Sequence, residues 1–236
     1  MVKTLFKIFS SSIIVLLFIK CESNTIRQQL GGEIIYDISY PCLEKNEESL
    51  TFLLPKKMIM TFSSNQFKNE FIFPTKSSAL GLINNSGKKK VKLTFRLGNN
   101  KKYTEIDTNN INDLLEDFPK YEKIKSISEE ILFLEKPAKK IKMKSSENDS
   151  IYEIITLKDL RIKNINWCTP FNEIKDVMLD YSVVQYGMEM HFKAISINKI
   201  KIGDDLLELD KDYKYSIAKD YLKEIKIMLS IFSCDD

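Results

Sequence analysis

Two copies of one short pattern, Met58-x-Met60-x-Phe62 and Met188-x-Met190-x-Phe192, carry the most distinctive side-chain chemistry in this chain of 236 residues. Alternate residues of a strand share a face, so each triplet presents two thioethers and an aromatic ring on one side. Flexible, polarisable thioethers suit an adaptable surface for acyl chains; they equally suit ordinary core packing against helices. Copper(I) is the other ligand that paired methionines invite. In the run MEMH, however, His191 points away from Met188 and Met190, so no metal site is expected. His191 is the sole histidine and falls between Glu189 and Lys193, where it reads as a solvated strand residue. A Cys168/His191 dyad would have to be assembled by the fold, because nothing in the spacing supports it. Asp204-Asp205 follow Gly203 and read as a turn; Asp235-Asp236 hold the last two positions. There is no nucleophile elbow, HExxH, P-loop or Gly-x-Gly-x-x-Gly motif, and no Cys/His cluster has zinc spacing. Neither a catalytic site nor a cofactor is expected.

A further chemical feature is positional. Lys3 and Lys7 precede Ile8 to Ile19, a twelve-residue stretch without a charge, and Lys20-Cys21 close it. A helix that crosses a bilayer needs about 20 apolar residues. Twelve is too few, but it suits the apolar region of a secretory signal. Cys21 stands where bacterial lipoprotein signals place the acylated cysteine. Lys20 departs from that pattern, which has a small residue there, and Phe18 replaces the usual leucine. The expectation is a signal over 1–20, a lipid on Cys21, a polar tether over 21–32 ending in Gly31-Gly32, and one β-rich domain over 33–234. The address is then the cell envelope, on the periplasmic side or at the outer-membrane surface; without acylation the product would be secreted.

Formal charge is +3, yet residues 1–20 hold Lys3, Lys7 and Lys20 and no acid, so the remainder balances thirty-three basic against thirty-three acidic residues. Nucleic-acid binding draws most of its affinity from a surplus of positive charge, so no nucleic-acid partner is expected. Three cysteines follow Cys21, namely Cys42, Cys168 and Cys234. An oxidising compartment permits one disulfide and leaves one thiol free. Cys42 with Cys168 is the first pair to test, since Cys234 lies in the terminal tail.

The elements that must position these residues read mainly as strands. EIIYDISY opens at 33, LTFLL (50–54) stops at Pro55, and MIMTF (58–62) and 67–73 follow. VKLTFRL (91–97) alternates most cleanly, with Val91, Leu93, Phe95 and Leu97 against Lys92, Thr94 and Arg96. Period-two alternation means strands with one buried face. Ser63 to Asn65, Asn84 to Gly87 and Gly98 to Asn100 supply the turns. A helix over NNINDLLEDFP places Ile111, Leu114, Leu115 and Phe118 on one face and ends at Pro119. Strands resume over 121–135, 137–144 and 152–160. The loop MKSSENDS (143–150) is the best candidate for any internal boundary. Residues 164–174 are irregular, and a long hairpin spans Gly187. A last helix from Ser216 aligns Ile217, Tyr221, Ile225, Met228, Leu229 and Phe232. Lysine clusters at 88–90, 101–102 and 139–144 read as solvated strand edges, which lysine protects from edge-to-edge pairing. Contact with anionic headgroups is their functional alternative.

The second half carries a resemblance. Asn166-Trp167 with Thr169-Pro170-Phe171, then DVMLDYSVVQYGMEMHFKA, then DDLLELDKDYKYS before a terminal helix, resembles uncharacterised envelope lipoproteins of Bacteroidetes-type bacteria. LLPKKMIMTF and its following strands match the same pattern in the first half. The resemblance implies a curved antiparallel sheet, similar to the half-open barrel of the Lol-type lipoprotein carriers, wrapped around an apolar cavity that two helices cover. The fold expected is therefore mainly β, and the function expected is a hydrophobic ligand, lipid or acyl chain held on the concave sheet. An interaction module of an envelope protein complex, without a small ligand, is the alternative. An apolar pocket of about 300 Å³ or more favours the first, and a solid core with an exposed apolar patch favours the second. An enzyme would need a cleft where Cys168, His191 and a carboxylate converge.

Overall fold

Short alternating runs bury one face each only if they pair into a sheet whose apolar sides gather together. The computed structural model describes residues 29–45, 50–158, 160, 162–203 and 208–234, leaving the expected leader, Cys21, most of the tether, Asp204-Asp205 and Asp235-Asp236 outside the described residues. Its strands are β1 (Gln29–Ser39), β2 (Lys57–Phe62), β3 (Phe67–Ile72), β4 (Ser78–Asn85), β5 (Lys90–Leu97), β6 (Asn100–Ile106), β7 (Tyr121–Phe133), β8 (Lys136–Ser145), β9 (Ile151–Leu157), β10 (Val177–Gln185), β11 (Met188–Ile202) and β12 (Lys214–Tyr215). Two helices accompany them, α1 (Ile111–Leu115) and α2 (Ala218–Leu229).

The twelve strands form one curved, open sheet in the order β12-β6-β5-β4-β3-β2-β1-β11-β10-β9-β8-β7. Two antiparallel meanders, β1–β6 and β7–β11, meet where β1 pairs with both β2 and β11. Only the two-residue β12 runs parallel, beside β6. Hairpin turns follow backbone sterics. Tyr186 and Gly187 both take positive φ, 54° and 76°, between the paired Gln185 and Met188. Two left-handed residues match the right-handed twist of the flanking strands.

Several expectations change at this stage. β1 begins at Gln29 rather than Glu33, so the last residues of the expected tether belong to the sheet. Gly31 and Gly32 are there because the chain is crowded: a Cβ on Gly32 would lie 2.3 Å from the Phe62 ring, and one on Gly31 would lie 2.1 Å from Ile202. Leu50–Leu53 form a 3-10 turn instead of a strand, with Leu50, Phe52 and Leu53 exposed. Five residues ending at a proline are too few for apolar character to separate strand from turn. β8 and β9 pair on either side of MKSSENDS, from Ala138–Leu157 to Lys144–Ile151. Ile217 caps α2 from outside and is exposed. Two of the lysine clusters face carboxylates on neighbouring elements: Lys101 lies 3.0 Å from Asp212, Lys102 2.6 Å from Glu224, and Lys142 3.2 Å from Glu153. Among the described residues no helix is long and apolar enough to cross a membrane.

Candidate functional site

Cross-strand register carries the apolar face of each strand into continuous rows. One row runs Leu93, Leu82, Asn69, Met60 and Ile34 across β5 to β1. The next runs Phe95, Leu80, Phe71, Met58, Tyr36 and Ala194, passing through β1 into β11. On β10 and β11, Tyr181 pairs with Phe192 and Val183 with Met190. The two Met/Phe triplets therefore stand on either side of β1, as parts of one wall.

That wall lines a half-open cavity of about 260 Å³, somewhat below the 300 Å³ used as a guide for a ligand pocket. Met58, Met60, Met188, Met190 and Phe192 line it. Phe62, the sixth expected residue, is buried but takes no part in the lining; it pairs with Gly32 and Phe67, and its ring covers Gly32. The opposite side is supplied by Leu114 of α1, the nearby Phe118, and Tyr221, Leu222, Ile225, Met228 and Leu229 on or at the inward face of α2. Asp117 pairs with Lys226 and so ties the end of the α1 segment to α2.

The third side comes from residues 163–174, whose Ile165, Asn166, Cys168, Phe171 and Ile174 are buried while Lys163, Asn164, Asn172 and Glu173 stay exposed. Phe171 lies at its centre, 1% exposed. Its ring centroid is 4.7 Å from that of Tyr121 and 6.3 Å from that of Tyr181, and Tyr181 stacks on Phe192 at 5.0 Å. Asn166 holds the segment by donating to the carbonyls of Ile174 and Asp176 at 2.9 and 3.0 Å. Trp167 Nε1 donates to Asn84 Oδ1 at 3.0 Å, and Asn84 Nδ2 donates to the Cys168 sulfur at 3.2 Å. This asparagine-anchored plug has no signature in the sequence beyond Pro170, because its anchor, Asn84, comes from another meander.

Cysteine pairing differs from expectation. Cys42 is bonded to Cys234, with Cα atoms 5.8 Å apart, and Cys168 is free and buried. The tail is not loose: α2 returns along the concave face, and the Cys234 amide donates to the Gly187 carbonyl at 2.9 Å. The segment leaving β1 arrives at the same place. Burial pushes the Cys168 thiol up to about 12, which leaves it a poor nucleophile at neutral pH.

His191 faces the other side of β11, with Nε2 2.7 Å from Asp180 Oδ1. Cys168 and His191 are thus not brought together, and among the described residues no three His, Cys, Asp or Glu side chains cluster as a metal site. The hydrogen bond to Asp180 raises the His191 pKa above 6.5, against a smaller opposing effect of burial. A histidine whose folded pKa is raised contributes stability in full below its unfolded value, about 6.5, and loses it as pH rises through the folded value. As the sole histidine, His191 gives one imidazole titration curve by NMR. We expect a midpoint above 6.5 that falls back toward 6.5 in Asp180→Asn; an unchanged midpoint would contradict the pairing.

The fold and its interior define a class: a half-open β-barrel with an apolar cavity closed by helices and an inserted plug. Among solved structures the chain is similar to PNGF-II, with 19% identity and a TM-score of 0.52 over 85% of this chain and 33% of that one. It therefore spans about one third of that protein, and the likeness shows a shared fold only. More distant likenesses are to MucB in complex with MucA(peri) (8% identity, TM-score 0.30, 78% of this chain and 56% of that one) and to a β-barrel-like protein from Brucella abortus with a domain of unknown function (6%, 0.33, 74% and 99%). No family model matches the chain, and no curated protein matches it.

Proposed function

We propose that this protein binds a hydrophobic ligand, a lipid or an acyl chain, in its concave sheet, and that it works in the cell envelope after export through residues 1–20 and acylation of Cys21. The observation that carries the reading is the cavity itself, which is walled by apolar side chains from both meanders and closed by α2 and the plug. Apolar space of this kind is the usual setting for small-ligand recognition. The Cys42–Cys234 bond fits an oxidising compartment. Resemblance to Bacteroidetes-type envelope lipoproteins and the apolar leader support the same address.

Native mass spectrometry of the full chain, extracted without detergent, tests ligand binding. A co-purifying apolar mass, or saturable uptake of the neutral fluorophore N-phenyl-1-naphthylamine, is expected. A ligand-free protein that takes up no fluorophore would remove the proposal. It would favour the second reading, an interaction module of an envelope complex. That reading draws on Ile227 and Ile231, which are 63% and 66% exposed at the C-terminal end of the chain.

A further inference from the structure

The chemistry of the cavity lining narrows the ligand class, on the footing that the cavity binds a ligand at all. No Asp, Glu, Lys, Arg or His is among the residues that line it. A carboxylate or ammonium buried there would lose its hydration without a counter-charge.

Three neutral polar side chains of the lining are already engaged. Tyr36 donates to the Met178 carbonyl at 2.8 Å, and the Asn166 amide holds two carbonyls. Thr169 Oγ1 donates to the Asn166 carbonyl and accepts from the Phe171 amide. Asn69 is different. It stands between Met60 and Leu82 in the apolar row, and its Oδ1 is buried without a donor. An unsatisfied buried acceptor is destabilising, and a donor on the ligand would relieve that. The Tyr221 hydroxyl, also buried without a partner, is likewise neutral.

We infer that the cavity takes an uncharged alkyl or acyl chain whose buried end donates a hydrogen bond, as a hydroxyl or amide N–H does, to Asn69 Oδ1. The matching carboxylate is rejected. Competition against N-phenyl-1-naphthylamine on the full chain reads this directly, with octan-1-ol, methyl octanoate and octanoate at pH 8 as competitors. Octan-1-ol is expected to compete at about tenfold lower concentration than octanoate, or better, since tenfold corresponds to 1.4 kcal/mol. Any apolar pocket disfavours an anion to some degree, so the decisive comparison is between the alcohol and the ester. The alcohol should bind more tightly than the ester to the unaltered protein, and Asn69→Leu should abolish that margin, each competitor being read against the fluorophore affinity of the same variant. Should Asn69→Leu fail to fold, Asn69→Ala gives the same comparison. Octanoate competing within twofold of octan-1-ol, or a margin over the ester that survives at position 69, would overturn the inference and leave ligand binding standing. Absence of fluorophore uptake by the unaltered protein would instead remove the ligand-binding proposal beneath it.

Discussion

Replacing Cys42 or Cys234 with serine is expected to destabilise the protein by about 3–5 kcal/mol. The bond joins residues 192 positions apart, and the loop entropy it removes from the unfolded chain has a ceiling of about 5 kcal/mol for a loop of that size. It also has a local consequence. Cys42 follows β1, and Cys234 follows the 3-10 turn (Ser230–Phe232) that ends α2. The crosslink thus holds one end of the helix that closes the cavity, so its loss should weaken ligand retention as well as the fold. Guanidinium unfolding of the oxidised protein and of each serine variant measures the first effect. Fluorophore dissociation rates measure the second. A non-reducing digest should yield one linked peptide pair containing Cys42 and Cys234, with Cys168 free. A stability loss below 1 kcal/mol, or a digest linking Cys42 to Cys168, would contradict the assignment.

Phe171→Ala is expected to cost about 3–5 kcal/mol, the usual range for truncating a fully buried phenylalanine. Its ring joins the Tyr121 side of the interior to the Tyr181–Phe192 stack. Removing it deletes contacts on both sides and leaves a void. Because Phe171 also lines the cavity, the void should merge with the proposed ligand space. The variant is therefore expected to bind alkyl chains a few carbons longer than the unaltered protein does. Denaturant melts report the first effect and a chain-length series in the competition assay reports the second. A stable variant with an unchanged length preference would mean that the plug is not part of the site.

The parts of this architecture that were legible in the sequence are those that local pattern controls. VKLTFRL alternates over its whole length, and Val91 and Phe95 are indeed buried in β5. The hairpin across Gly187 could be read from two apolar runs separated by a turn. β4 and β6 escaped. SALGLINN carries Gly81 and two asparagines, and NKKYTEI presents mostly polar side chains, so neither alternates clearly even though both lie inside the sheet. The expected apolar face of the first helix survives only in part: α1 stops after five residues, although Leu114 and Phe118 still reach the cavity. For the site, the methionines and Phe192 were visible because strand alternation places them on one face. The position of Asn69 was not, because it comes from the cross-strand neighbours Met60 and Leu82. Disulfide connectivity was hidden for the same reason. Nothing near Cys234 in sequence indicates that the chain doubles back to the β10–β11 turn.

The seam between the two meanders has a temporal consequence. β1 is the first of the described strands in the chain order, yet one of its edges is completed only by β11, more than 150 positions later. Sheets closed by such distant segments form slowly, because chain entropy must be surrendered before the contacts that reward it exist. Until residues 188–202 have arrived, β1 can be satisfied on one side only. The molecule must therefore wait for nearly its whole length to be delivered before its interior can shut.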